Sequence, residues 1–496
     1  MINCRGFRHN AMPPFTCFEF PGSISISTRG ERNSRPLALL LAFLLTSSCQ
    51  PLPSHSTLKS PEHILTSQPC GHLLTNTGVW SPDGEWIVYD VRSDAVGELF
   101  DGRHIEIVHT RTREIHRLYS SRNGAHCGVA TFDPIHPRTV FILGPERPTP
   151  DWSYSPWHRQ GVLVDLTHPG NAVQLDARDL TPPFTPGALR GGSHVHVFSA
   201  DGSRVSFTYE DHVLTTPPQG SPAGDGNQRN VGVSLLGRPV TVAKGHPRNH
   251  SGVAFSVLVT STQPNPKPGS DEIQKAFEEG WIGTNGYRRF DGTHQRYALA
   301  FQGQVMTDGG QSIAEVFLVD LPDDLTRPGS APIEGTSLRR PAPPVGTQQR
   351  RLTFTDRRTF PGIQGPRHWL RSSPDGSRIA FLMKDDSGVV QLWTVTPAGG
   401  PPVQLTQNSF DIASAFTWSP DGRWIAHVMD HSVCRTDTRT GRTERITART
   451  PGSSSPRKEA CVFSPEGHRI AFVRRLPRGE AAFNQICVVN VPDVGN

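Results

Sequence analysis

The sequence predicts an all-β chain folded as a ring of seven four-stranded blades, a β-propeller, and three observations carry that prediction. A Ser-Pro-Asp-Gly turn flanked by apolar strands recurs along the chain. The last three copies begin at Ser373, Ser419 and Ser464, about one blade length of roughly 45 residues apart. The 47 Gly and 45 Pro among 496 residues leave little room for long helices, since both residues break them. Disorder is not implied, because 9 Trp and 24 Phe are spread through regular hydrophobic runs. The net charge is +5, and the five Arg and two Glu of residues 1–48 account for +3 of it. No basic stripe stands out, which argues against a nucleic-acid partner.

Residues 37–45 (LALLLAFLL) form a nine-residue apolar run preceded by Arg29, Arg32 and Arg35. A membrane-spanning helix needs roughly 20 residues, so 1–48 reads as a secretory signal. The run ends in Thr46-Ser47-Ser48-Cys49, which resembles the lipobox of bacterial lipoproteins. That resemblance implies lipidation of Cys49 and an outer-membrane lipoprotein facing the periplasm. Thr46 stands where the lipobox has an aliphatic residue, which leaves plain signal cleavage and release into the periplasm as the other outcome. Met12 is an alternative start. Residues 49–70 read as a flexible tether and 71–496 as the propeller. The cysteines beyond Cys49 (Cys70, Cys127, Cys434, Cys461 and Cys487) contain no CxxC, so zinc ribbons and redox dithiols are not supported, and buried inert thiols are expected.

The repeat runs Trp80-Ser81-Pro82-Asp83-Gly84, Ser372-Ser373-Pro374-Asp375-Gly376 and Trp418-Ser419-Pro420-Asp421-Gly422. Looser copies are Phe198-Ser199-Ala200-Asp201-Gly202 and Phe463-Ser464-Pro465-Glu466-Gly467. Pro presets φ, Asp bonds nearby backbone, and Gly takes the positive φ that closes the turn. An apolar strand enters each turn and an alternating strand leaves it. Third strands follow at 391–395, 432–436 and 485–489. A short fourth strand ends in Leu405-Thr406 or Ile446-Thr447. Weaker blades are read at 129–133 with 139–143, and at 252–260 with 297–301 and 315–321. Blades then open near Trp80, Phe132, Phe198, Ala254, Ser372, Trp418 and Phe463, and Leu74-Thr75 is expected to complete the last blade by strand exchange. Long insertions fall at 144–159, 217–230, 264–292 and 326–347. Within 264–292, Ser270 as N-cap and the spacing of Ile273, Phe277 and Trp281 predict a short helix.

Turn, strand order and Leu-Thr ending together resemble the TolB-type propeller repeat. Gly124-Ala125-His126, the run from Leu189 to Phe198 (LRGGSHVHVF), Pro268-Gly269-Ser270-Asp271-Glu272-Ile273 and Pro366-Arg367-His368-Trp369 resemble one uncharacterised bacterial family of such propellers, the YidR family. The likeness runs from about Leu74 to the C-terminus. It implies the propeller and brings no activity with it.

No GxSxG elbow, P-loop, HExxH or dinucleotide fingerprint is present. Histidine placement is the informative feature. Four residues before the end of successive inner strands stand Asn76, His194, His368, Ser414 and Glu459, with His126 and His250 near matching places in weaker blades. Such positions converge on the central channel. His194 and His196, two apart, are expected on one side of their strand. With His126 and His368 they form a candidate ligand set for a divalent metal such as Mn or Zn. Arg190, Arg367 and Arg229 are candidates for neutralising an anionic ligand. The bland alternative is that these histidines fill polar spots between blades. Trp152, Trp157 and His158 are candidates for a stacking rim, or else pack their insertion onto its own blade. Asp211-His212 reads as a strand-end pair.

Two functions remain open. One is a monomeric periplasmic scaffold holding a protein or a small anionic or carbohydrate ligand at the channel mouth. The other is a metal-dependent enzyme on anionic carbohydrate, similar to the propeller oligogalacturonate lyases. Elemental analysis of protein purified without added metal separates them.

Overall fold

The computed structural model describes residues 61–215 and 225–492. The signal run and Cys49 lie outside the described residues. Seven four-stranded antiparallel sheets form the blades, each strand hydrogen-bonded to the next. Blade 1 is Gly71–Leu73, Trp86–Arg92, His104–His109 and Ile115–Ser120. Blade 2 is Cys127–Phe132, Arg138–Leu143, Gln160–Asp165 and Ala172–Gln174. Blade 3 is Gly191–Phe198, Arg204–Asp211, Asn230–Val240 and Gly252–Leu258. Blade 4 is Ile273–Trp281, Tyr297–Met306, Ser312–Leu321 and Gln348–Arg351. Blade 5 starts at Arg371–Ser372, blade 6 at Thr417–Trp418 and blade 7 at Pro456–Phe463.

The turns work as their residues dictate. In Ser81-Pro82-Asp83-Gly84 the Ser81 hydroxyl donates to Asp83 at 2.5 Å, and the Trp86 N–H returns to that hydroxyl at 2.9 Å. Ser373, Ser419 and Ser199 repeat the contact with Asp375, Asp421 and Asp201. Gly84, Gly376 and Gly422 sit at φ of 69°, 73° and 70°, which only glycine takes without cost. The aromatic that ends an inner strand latches the ring. Trp80 Nε1 donates to the Val462 carbonyl at 3.1 Å, Trp281 to Val197 at 3.0 Å and Trp418 to Arg371 at 2.9 Å. In each case the acceptor belongs to the preceding blade. Threonines reach the other way: Thr131 donates to the His196 carbonyl and Thr417 to that of Cys461, each at 2.8 Å.

Three expectations are corrected. The ring closes with Glu62–Ile64, which pairs with Ala481–Asn490 of blade 7, and not with Leu74-Thr75. The propeller therefore begins inside the segment read as tether. The blade-ending pair is Leu65-Thr66, whose Thr66 hydroxyl accepts the Ile486 N–H at 3.0 Å, as Thr406 does for Leu392 and Thr447 for Val433. Thr75 instead donates to Ala130 of blade 2. Second, the segment read as a helix is the strand Ile273–Trp281, the inner strand of blade 4. Bulges shift its register between Ile273 and Ala276 and again between Phe277 and Gly280, so its apolar residues fall at irregular spacing that mimics a helical period. Third, Gly252–Leu258 is the outer strand of blade 3, paired with Asn230–Val240, and Ala254 opens no blade.

Cys127, Cys434, Cys461 and Cys487 are buried and Cys70 is half-buried, all of them free. Burial pushes the thiols of Cys434 and Cys487 up to about 12, which makes them inert packing.

Candidate functional site

Inner strands of a propeller run in one direction, so the channel has a strand-start mouth and a turn mouth. The predicted site residues are expected at the strand-start mouth. Blades 2, 3 and 4 share an unusual backbone there: Val129, Val195 and Glu278, each three residues before its strand's last aromatic, have φ of 60°, 56° and 57°. Each coincides with a register shift in its sheet. A left-handed residue without glycine costs about 1–2 kcal/mol, so the packing around these bulges must over-determine them.

The bulge at Val195 undoes the expected pairing of His194 with His196. Ser193 donates at 3.1 Å to Asp176 Oδ1, which lies against Gly161 of blade 2, and His196 Nε2 lies 3.1 Å from the same Ser193 hydroxyl. His196 therefore shares the face of Ser193, toward blade 2, and His194 takes the opposite face. Burial pulls His196 down to about 3.

His368 is also unavailable to a metal. Its Nδ1 lies 2.9 Å from the Pro366 carbonyl and its Nε2 accepts the Leu382 N–H at 3.1 Å, which fixes the neutral tautomer. His126 sits in blade 2 beside Gly144, whose N–H its carbonyl accepts. His250 pairs through its backbone with Arg178 and is not part of an inner strand. Among the described residues no three His, Cys, Asp or Glu side chains come together as a metal-holding group. The proposed set of His126, His194, His196 and His368 does not fit a divalent ion.

Arg190 is likewise not a ligand group. It is fully buried, pairs with Asp211 at 2.9 Å, and donates to the carbonyls of Thr336 and Arg339. Tyr209 completes the Asp211 shell. Arg190 thus pins the Pro-rich excursion 326–347 onto blade 3. Asp211 is spent on this contact and does not orient His212, whose Nδ1 lies 3.1 Å from His158 Nε2. Trp152 stacks on His158 at 3.7 Å between ring centres and is buried, so the aromatic insertion 144–159 packs onto its own propeller.

Of the two glycines of LRGGSH, Gly192 makes room for that insertion and Gly191 for the neighbouring strand of its own blade. A Cβ on Gly192 would lie 2.2 Å from the Pro156 carbonyl, and one on Gly191 would lie 2.1 Å from that of Glu210. This close approach brings Arg159 to His194. Burial holds the His194 imidazole well below its ordinary value, and the cations of Arg159, Arg229 and Arg367 depress it further. Its Nδ1 is buried without a partner. Arg229 donates twice to Glu210, at 2.9 and 2.6 Å. Arg367 donates to Glu278 at 2.7 Å and lies over Trp369. The Arg159 guanidinium donates to the Tyr154 hydroxyl at 2.9 Å and lies over that ring, with no carboxylate partner among the described residues. Three guanidiniums against two carboxylates around one neutral, unpartnered imidazole make an anion-seeking mouth. Sequence named His194, Arg229 and Arg367 but missed Arg159 and Glu278, which only the insertion and the blade 4 bulge bring in.

The buried imidazoles set an acid limit. Burial pulls His368 and His427 down to about 4 and His196 to about 3, so below pH 6.5 the unfolded chain binds protons that the folded chain refuses. Each contributes a loss of about 3 kcal/mol by pH 4. Glu279 and Asp176, pushed up by burial to about 7 and about 6, act in the opposite sense over the same range. His158, His212 and His250 are pulled down as well, so the imidazoles outweigh the two acids and the net is a loss of stability as pH falls from 7 to 4. The expected result is a melting temperature that falls steadily over that window, with a shallower slope in His368→Gln. A flat profile would show that these groups are solvated.

The fold is that of a seven-bladed β-propeller. Residues 126–250 match a family described as a protein of unknown function (DUF3748). The chain is 47% identical over 413 residues to the uncharacterized protein YidR of Escherichia coli (strain K12), covering 82% of this chain and 94% of that one. The chain belongs to the YidR family. Among solved structures, it is similar to an oligogalacturonate lyase in complex with manganese, with a TM-score of 0.52 and 12% identity over 88% of this chain and 95% of that one. TolB from Acinetobacter baumannii matches with a TM-score of 0.33 and 15% identity over 83% and 81%. The first of these likenesses bears on the fold alone.

Proposed function

We propose that the chain is an exported binding scaffold, anchored on the periplasmic side by lipid at Cys49, that takes a carboxylate-rich ligand at the strand-start mouth of its channel. The observation that carries this reading is that Arg159, whose backbone packs on Gly192, and Arg229, paired with Glu210 opposite Gly192, stand beside the His194 segment, with Arg159 free of any carboxylate among the described residues. Guanidinium forks match carboxylates two bonds at a time. The neutral imidazole adds one further polar contact. An anionic carbohydrate, or the acidic stretch of a protein, meets both demands. The apolar run 37–45 and the Thr46-Ser47-Ser48-Cys49 ending support the location, and no helix among the described residues is long and apolar enough to cross a membrane.

The histidines favour a scaffold over metal catalysis, since His368 is spent on backbone and His196 faces blade 2. The test of binding is the melting temperature of the full chain with trigalacturonate and, as a neutral control, maltotriose. A rise with the first alone, weakened by salt, is expected. Equal response to both sugars, or to neither, would refute the reading. For the location, labelling with radioactive palmitate is expected to mark the wild type and not Cys49→Ala, which stays soluble in the periplasm. Equal labelling of both would remove Cys49 as the lipid site.

A further inference from the structure

The turn mouth of the channel holds a different kind of site. A cavity of about 380 Å³ opens there, within the range that small ligands occupy. Its wall is the repeat itself: Trp80, Phe132, Trp281, Trp418 and Phe463 end their strands on it, with the turn prolines between them. The three indole N–H groups are already bonded to carbonyls of the preceding blades. The wall is therefore aromatic and proline edge with its indole donors already used.

One charged residue lines this cavity. Arg371 is 9% exposed and reaches across the channel to the Asn76 side-chain oxygen. Its Nε is buried with no partner. No carboxylate lies within ion-pair distance of it among the described residues: the nearest candidate in its field, Glu279, accepts a hydrogen bond from Thr208 at 2.9 Å instead. Glu279 is thus the one opposite charge in its field and makes no direct ion pair, so the guanidinium lining the cavity is open to a carboxylate brought against it.

We propose that the turn mouth binds a monocarboxylate carried on an apolar or aromatic group, the carboxylate meeting Arg371 and the apolar body lying against the indole and proline wall. A single guanidinium suits one carboxylate, whereas a phosphate or a polyanion would call for several cations. This site is separate from the one at the strand-start mouth and does not depend on it.

The experiment is a titration of the full chain with 4-phenylbutyrate and with its amide, 4-phenylbutanamide, read by tryptophan emission, since Trp80, Trp281 and Trp418 all line the cavity. Saturable quenching by the acid and at least tenfold weaker response to the amide are expected. Arg371→Gln should lose the acid response at least tenfold. Because Arg371 also bridges to Asn76, a second variant is needed that leaves it in place. Thr284→Trp, at an exposed position on the cavity rim, should block the acid while Arg371 keeps its bridge. Arg159→Gln, at the other mouth, should leave the response unchanged. Equal quenching by acid and amide, or an acid response that survives both Arg371→Gln and Thr284→Trp, would overturn the proposal.

Discussion

Deleting residues 62–66 is expected to cost on the order of 5–10 kcal/mol, which is comparable to the whole stability of an ordinary domain. The five residues supply the outer strand of blade 7. Leu65, 4% exposed, packs with Ala460, Val462, Ile486 and Val488, and losing a buried leucine costs about 2–5 kcal/mol. Glu62 pairs with Arg474 at 2.6 Å, and the Arg474 side chain is 4% exposed. Its removal strands a buried cation, worth about 3–5 kcal/mol. The Thr66 hydroxyl, which bonds Gln485 and the Ile486 backbone, goes with them. If this deletion melted like the full chain, the ring would not be closed by this strand.

Arg190→Ala is expected to destabilise the protein by about 3–5 kcal/mol. Asp211, buried at 2% exposure, would lose its cation, and the carbonyls of Thr336 and Arg339 would lose their donors. Denaturant midpoints measure this directly. Arg229→Gln serves as the comparison. Its side chain is 32% exposed and pairs with the partly buried Glu210, so its effect on the midpoint should be under about 1 kcal/mol. Equal effects would mean that Arg190 does not hold the 326–347 excursion.

These two cases show where local chemistry is enough and where it is not. The Ser-Pro-Asp-Gly turns are legible because serine, aspartate and glycine meet within five residues, and the same contacts recur in every clear copy. Closure was ambiguous because Leu65-Thr66 and Leu74-Thr75 are the same dipeptide nine residues apart. Only the partner strand, more than 400 residues away, tells them apart. The inner strand of blade 4 was hidden by its bulges, which break the period of two that marks a strand. For the site, alternation predicted one face for His194 and His196, and the positive φ of Val195 separates them. Nothing in Pro366-Arg367-His368-Trp369 foretells that the Leu382 N–H will occupy His368. Arg159 gave no signal of its own: its place follows from Gly192 admitting the insertion beside blade 3.

The central claim is that unpaired positive charge at the strand-start mouth recognises carboxylates, and calorimetric titration of trigalacturonate tests it most directly. The variants to compare are Arg159→Gln, which removes the unpartnered cation, and Arg111→Gln, which removes an exposed arginine paired with Glu85 on blade 1. Charge-assisted bonds contribute about 1.5–3 kcal/mol, so binding should weaken roughly 10- to 100-fold in Arg159→Gln and stay at the wild-type value in Arg111→Gln. Wild-type affinity in Arg159→Gln, or the same loss in both variants, would contradict it.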